Sequence, residues 1–177
     1  MAVVPIITVP DDRLLQKCEK VTDFGNETQK IIRNLKDTLA SAKNPEGAGL
    51  AAPQIGVLKR IIVVRNFVLN PVEKENPLVE EHIQINPKVV STSKETITDW
   101  EGCLSIPDTY GQVERYKKIK IKAQDESGQT IRLTASGYFS AVIQHEMDHL
   151  EGVLFTSKTV GEILNEKDFD HYLEVVA

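Results

Sequence analysis

Cysteine is scarce in this sequence: the 177 residues include only Cys18 and Cys103, so at most one internal disulfide can form. Pairing the two thiols would consume Cys103, which is a candidate metal ligand for the reasons given below. Two reduced cysteines suit a reducing cytosol. Residues 1–5 also lack the basic residues and the apolar core of a secretory signal, so we expect a cytoplasmic protein.

Long apolar runs and basic runs are absent as well. No segment approaches the ~20 apolar residues of a membrane span, so no association with a membrane is expected. The formal net charge is −5, and a chain of that balance is not expected to bind nucleic acid directly or to bind an anionic membrane surface. The length is sufficient for one domain with its own core, and we expect residues 1–177 to form a single domain.

The most informative stretch is the H-E-x-x-H motif of residues 145–149. Residues four apart lie on one face of a helix, so His145 and His149 can direct their imidazoles at one ion. Glu146 can then act as the general base of a hydrolytic reaction. The alternative is a helix with two solvated or hydrogen-bonded histidines and an ordinary surface glutamate.

The residues around this motif predict a helix. Phe139, Val142, Ile143 and Leu150 recur at helical spacing. Glu146 falls within this apolar stripe, where desolvation raises the pKa of a carboxyl group and suits it to proton transfer.

A third protein ligand leaves one coordination position open for catalysis. Position 155, where one class of zinc proteases carries a third histidine, holds Phe155, which cannot ligate a metal. Glu162 and Glu166 lie downstream, but neither belongs to a motif. Cys103 is the better candidate, because a thiolate with two imidazoles suits Zn²⁺ or Fe²⁺. The competing interpretation of Cys103 is a buried structural thiol.

Residues 46–56 are rich in glycine and alanine. Gly47 and Gly49 allow close approach to the backbone, so this segment can pair with an extended peptide. A phosphate-binding loop is excluded, because no Lys-Ser/Thr pair follows and no G-x-G-x-x-G pattern occurs. A tight loop that packs through its small residues remains the alternative.

Three segments together carry a resemblance: residues 47–54 (GAGLAAPQ), 101–105 (EGCLS) and 144–150 (QHEMDHL). In composition and order they resemble the three motifs of bacterial-type peptide deformylases, and the resemblance extends to about Phe155. It implies a metal-dependent hydrolase that removes the formyl group from the N-terminal formylmethionine of new polypeptides and releases formate. The expected partners are therefore nascent chains, with the ribosome as one place of encounter.

The resemblance also implies roles for individual residues. Cys103, His145 and His149 would hold the metal, and Glu146 would transfer the proton. The expected ion is Fe²⁺, with Zn²⁺, Ni²⁺ and Co²⁺ as alternatives. The oxyanion and the substrate would be held by a further set of residues: Gln54 and the Leu104 N–H for the oxyanion, Ala48 and Gly49 for the peptide backbone, and Glu101, Ala141 and Val142 for the methionine pocket.

Two positions depart from this pattern or add to it. The family often has a basic residue where this chain has Tyr110, so the contacts at that rim of the pocket differ. Arg115 is a candidate ion-pair partner of Glu101.

Two other classes of protein stay open: an endopeptidase with a downstream glutamate ligand, and a relative that keeps only structural zinc.

The predicted fold is α+β, with mostly antiparallel strands around a central helix that carries H-E-x-x-H. A helix is predicted from Asn26, as its N-cap, to about Ala42, and a strand over residues 60–64. Residues 66–81 are predicted to form a loop. Residues 112–116 lead into a predicted hairpin of residues 119–123 and 130–134. Within residues 160–177, the apolar positions fit a short helix or a strand equally well: Phe169, Tyr172, Leu173, Val175 and Val176.

Overall fold

The computed structural model describes residues 3–43, 47–68 and 78–176. Within these ranges the chain forms three α-helices and eight β-strands. The helices are α1 (Asn26–Ser41), α2 (Gly137–Leu150) and α3 (Glu166–Val176). The strands are β1 (Gly49–Ala51), β2 (Ile61–Val68), β3 (Leu78–Thr92), β4 (Thr96–Cys103), β5 (Ile106–Tyr116), β6 (Lys118–Gln124), β7 (Thr130–Ser136) and β8 (Thr159–Asn165).

The strands form two sheets. One has the order β1-β2-β3-β6-β7 and the other the order β4-β5-β8, and neighbouring strands in both are antiparallel. The expected α+β class with mostly antiparallel strands is therefore confirmed. The predicted β6–β7 hairpin is also confirmed. The strand leading into it, β5, belongs to the other sheet, because the chain crosses between the sheets at Lys117.

The helix α2, which carries the H-E-x-x-H motif, contacts both sheets. It contacts β1, β2, β6 and β7 of the larger sheet and β5 of the smaller one. Val142, Ile143 and Leu150 share a buried cluster with Ile62 and Ile119 of the larger sheet. The apolar stripe read from the sequence therefore faces a core, and this fixes the rotation of α2 and the direction of its histidines.

The helix α1 covers part of the opposite face of the larger sheet, through Ile32 and Leu35. Its predicted start is off by one position: Gly25 is the N-cap, and Asn26 is already helical. The side chain of Gln29 donates to the carbonyls of Phe24 and Glu126. The helix ends at Ser41, close to the predicted end at about Ala42.

The loop predicted over residues 66–81 is wrong at both ends. Strand β2 continues to Val68 and β3 begins at Leu78, and these two residues pair. Cross-strand pairing outweighs the charged composition there, while residues 69–77 lie outside the described part of the chain. In the carboxyl-terminal segment the helix is the correct alternative for the apolar positions within residues 169–176, which belong to α3, and the preceding β8 pairs with β5.

Candidate metal centre

Three side chains with metal-binding atoms converge where β4 ends beside α2. Cys103, His145 and His149 each offer one atom, and these atoms lie within 4.8 Å of one another. The Cys103 Sγ is 3.3 Å from the Nε2 of His149. Burial lowers the pKa of His149 well below its ordinary value, and the charges of His145 and Arg115 add to this effect. His149 is therefore neutral, which is the form in which an imidazole binds metal.

A buried network of ion pairs holds the His145 ring through its Nδ1 atom. The Nδ1 of His145 is 2.9 Å from the Oε2 of Glu101, and Arg115 donates to both carboxylate oxygens of Glu101 at 2.7 and 2.9 Å. Arg115 also donates to Asp148 at 2.5 Å, and Lys158 donates to the same Asp148 carboxylate. The network therefore ties β4, β5 and α2 together around the first histidine.

Burial acts against the charge of Glu101, yet its pKa is lowered to about 2. The hydrogen bonds from Arg115 and His145 outweigh the desolvation. Because Glu101 stays ionised, it can hold the His145 ring through Nδ1 and leave Nε2 free for a metal. The Glu101–Arg115 pair expected from the sequence is thus present, whereas the sequence interpretation missed Asp148, which lies between the two histidines of the motif.

Glu146 is buried beside the three converging side chains. Burial raises its pKa to about 7, with the charge of Glu101 acting in the same direction and His145 and Arg115 acting against it. Its Oε2 has no hydrogen-bond partner among the described residues. A Cβ placed on Gly49 would lie 2.5 Å from the Glu146 Oε1, so β1 approaches this carboxyl closely only because residue 49 is glycine.

The side chain of Gln54 extends toward Cys103 from a short 3₁₀ turn, Ala52–Ile55. Its Oε1 accepts from the Ala51 N–H at 2.8 Å, which directs the amide NH₂ toward β4. That NH₂ lies 3.5 Å from the Cys103 Sγ and 3.2 Å from the Ser105 Oγ. Ser105, also missed from the sequence, is fully buried and fixes the amide orientation.

A cavity of about 210 Å³ opens onto these groups. All the residues predicted for the oxyanion, the proton transfer and the substrate line it, together with two of the three candidate ligands: Ala48, Gly49, Gln54, Glu101, Cys103, Leu104, Ala141, Val142, His145 and Glu146. Aromatic rings of Trp100, Tyr110 and Tyr138 complete its wall. Glu162 and Glu166, the alternative ligands, are exposed on β8 and α3.

A family model described as polypeptide deformylase matches residues 3–163. The chain belongs to the polypeptide deformylase family. It is 46% identical to a peptide deformylase of Thermomicrobium roseum over 89% of this chain and 86% of the relative. It is 42% identical to one of Rickettsia akari over 87% of this chain and 86% of that protein.

Solved deformylase structures share the fold. A peptide deformylase from Synechococcus elongatus in complex with actinonin is 36% identical, with a TM-score of 0.79, 92% of this chain covered and 83% of the other. A Met-Ala-Ser-bound class I type b peptide deformylase from Acinetobacter baumannii is 31% identical, with a TM-score of 0.78 over 89% of this chain and 99% of the other.

Membership of the deformylase family makes this chain an enzyme of a class that removes N-formyl groups from nascent polypeptides. The family is metal-dependent, and the described residues include a Cys/His/His group that can hold an ion. Within the described ranges no helix is long and apolar enough to cross a membrane. The helix α3 lies beyond the residues that the family model matches.

Proposed function

We propose that this deformylase uses a divalent metal ion to hydrolyse the formyl group of N-terminal formylmethionine and releases formate. The observation that carries the proposal is the position of Glu146. This buried carboxyl, with a pKa raised to about 7, lines the same cavity as Cys103 and His145. A general base with a pKa near neutrality is matched to proton transfer at physiological pH.

The three converging side chains fit the metal that the family requires. Cys103, His145 and His149 would hold it, since one thiolate and two imidazoles are a donor set for Fe²⁺ and Zn²⁺ alike. A bound divalent ion supplies Lewis acidity and lowers the pKa of water. We propose Fe²⁺ as the physiological ion, with Zn²⁺, Ni²⁺ and Co²⁺ able to bind the same residues.

Glu146 then accepts the proton of the attacking water and later delivers it to the leaving amine. Burial favours both steps, because it brings the pKa of the carboxyl close to ambient pH. No other described residue donates a hydrogen bond to the Glu146 Oε2, so this oxygen is available to a water molecule.

Gln54 and Leu104 stabilise the oxyanion that develops on the formyl oxygen. The Gln54 amide is oriented in advance through the Ala51 N–H and Ser105, with its NH₂ facing Cys103. The Leu104 N–H belongs to the turn between β4 and β5, immediately after Cys103. Donors fixed in advance contribute most to such stabilisation.

The substrate backbone pairs with Ala48 and Gly49. Strand β1 is at the end of its sheet, paired with β2, and an extended peptide can add to the exposed edge of a sheet. The methionine side chain enters the apolar part of the cavity beside Ala141 and Val142. Glu101 shapes that wall while its oxygens hold Arg115 and His145. The proposed partners are nascent chains in the cytoplasm, at or near the ribosome.

The proposal is tested on one purified preparation by metal analysis together with formate release from formyl-Met-Ala-Ser. We expect stoichiometric metal and formate release in the parent. We expect loss of both in Cys103→Ala, His145→Ala and His149→Ala. Glu162→Ala is the matched control, because this exposed carboxylate was the alternative ligand, and it should retain metal and activity. Full metal in Cys103→Ala would contradict the ligand set, and zinc alone after anaerobic purification would contradict the choice of iron.

A further inference from the structure

Four aromatic rings connect the last helix to the wall of the cavity. Phe169 of α3 stacks on Tyr110 of β5, with ring centroids 4.2 Å apart and planes inclined by 12°. Trp100 of β4 lies 5.1 Å from the Phe169 ring and 5.0 Å from the Tyr172 ring. Trp100 and Tyr110 line the cavity, and Phe169 and Tyr172 contact them from α3. The helix therefore supports the wall without itself forming part of it.

This cluster anchors α3 through its side chains. None of the residues of α3 is fully buried, so no conventional core holds the helix in place. The preceding strand β8 brings the helix to β5 through the pairs Thr109–Asn165 and Tyr110–Leu164. Because Phe169 contacts both cavity-lining rings, it is the residue of α3 that can restrict their orientations together.

The Tyr110 ring also reaches the segment that bears the candidate thiolate ligand. A Cβ placed on Gly102 would lie 3.1 Å from the Tyr110 Cε1, so the ring packs against the backbone next to Cys103. Contacts from Phe169 and from Gly102 together restrict the rotamers of Tyr110. A wall whose side chains are already ordered costs less conformational entropy when a peptide binds to it.

We propose that Phe169 is a positioning residue that holds Trp100 and Tyr110 as a preordered wall for the substrate residues that follow formylmethionine. The inference rests on the proposed function and adds to it a determinant of peptide binding. Rigid aromatic rings provide large contact areas at low entropic cost, which suits substrates of varied sequence. The described ring contacts of Phe169 are with Tyr110, Trp100 and Tyr172, so the proton transfer at Glu146 does not depend on it.

Steady-state kinetics of Phe169→Ala separate this role from a structural one. We expect the KM for formyl-Met-Ala-Ser to rise by roughly two- to tenfold, the range for freeing the equivalent of one ordered side chain. The kcat, the metal content and the KM for formyl-Met amide, which has no following residues, should stay at parent values. Phe169→Tyr should restore the KM by restoring the stack. Leu173→Ala, a change at an exposed residue of the same helix, is the matched control and should resemble the parent.

A second measurement requires no turnover, because Trp100 is the only tryptophan of the chain. Titration with the product peptide Met-Ala-Ser should give a saturable change in tryptophan emission, with a Kd that rises in Phe169→Ala by about the same factor as the KM. Unchanged KM and Kd in that variant would overturn the proposal, as would a parallel loss of metal and of kcat on both substrates. If the parent releases no formate but Trp100 still reports peptide binding, the proposed function is refuted and the inference about Phe169 is not.

Discussion

Glu146 shows how strongly a single residue depends on its surroundings. The side chain lies on the apolar stripe of α2, and burial raises its pKa to about 7. Sequence spacing alone predicts this desolvation, because the residue falls between positions 142 and 150 of the stripe. The consequence is a carboxyl group that can both take up and release a proton near neutral pH.

The first prediction is that Glu146→Gln keeps the metal and loses most of its activity. An amide of nearly the same shape fills the site but cannot accept the proton, and general acid–base catalysis contributes roughly 10² to 10⁴ in rate. The measurements are metal content and single-turnover rate of formate release. Near-parental kcat with metal bound would show that another group is the base.

Gly49 provides a second prediction at this scale. A methyl group at residue 49 would collide with the Glu146 carboxyl, whose Oε1 lies 2.5 Å from the Cβ position. We expect Gly49→Ala to lower kcat by about 10²-fold, the cost of displacing a catalytic group by roughly 1 Å. Gly25→Ala, where the nearest atoms belong to the Asp23 side chain, should leave kcat unchanged and controls for the substitution type. Parental kcat in Gly49→Ala would mean that Glu146 can move without penalty.

Among the secondary-structure elements, Arg115 of β5 holds β4 and α2 together through Glu101 and Asp148. Removing one partner of a buried ion pair typically costs 3–5 kcal/mol, because a charge is left uncompensated. We expect Arg115→Leu to reduce the free energy of unfolding by about 3 kcal/mol, measured by chemical denaturation. Lys117→Leu, which removes an exposed pair with Glu95, should change it by less than about 1 kcal/mol.

The same variant should also be more sensitive to acid. The native pKa of Glu101 is lowered to about 2, below its ordinary value of 4.5. The ionised Glu101 therefore stabilises the folded protein fully above pH 4.5, and this stabilisation is lost as the pH falls toward 2. Without Arg115 the pKa of Glu101 rises, so the acid unfolding midpoint of Arg115→Leu should shift to higher pH. A midpoint that does not shift would show that Glu101 is not held by this pair.

Comparison of these elements with the sequence shows where prediction succeeds. His145, Glu146 and His149 could be placed because helical periodicity fixes which residues share a face. The partner of β5 could not, because alternation identifies the buried face of a strand and says nothing about its neighbour. The role of Asp148 could not be predicted for a related reason. Its sequence position suggests a solvent-exposed carboxylate, and only the fold places Arg115, distant in sequence, beside it.

Across the whole molecule, the fold brings three distant segments to one cavity. The N-terminal arm helps to connect two of them, since the Ile7 N–H donates to the Gln54 carbonyl and the Val9 N–H to the Ser105 carbonyl. This arm is extended and outside both sheets. The first two motifs are thus held at fixed separation by hydrogen bonds that no local sequence pattern encodes.

The last prediction concerns the space that this convergence leaves for a substrate. In the proposed binding mode, a carbonyl with its oxygen near Gln54 and the Leu104 N–H would direct its other substituent toward Gly49 and Glu146. These two residues are so close that a Cβ on Gly49 would overlap the carboxyl group. We therefore expect the space to accept a formyl hydrogen and to exclude the methyl group of an acetyl peptide.

One methylene in a pocket that can adjust changes kcat/KM by about 10–200-fold, and a wall of backbone and buried carboxyl adjusts less. We therefore expect formyl-Met-Ala-Ser to be hydrolysed at least about 10²-fold more efficiently than acetyl-Met-Ala-Ser. Cleavage of internal peptide bonds should not be detected, because an internal bond places a whole residue at the same point. The measurement is kcat/KM for both peptides on one metal form, with mass spectrometry for internal cleavage. Comparable values for the two peptides, or any endoproteolysis, would refute both the steric argument and the proposed function.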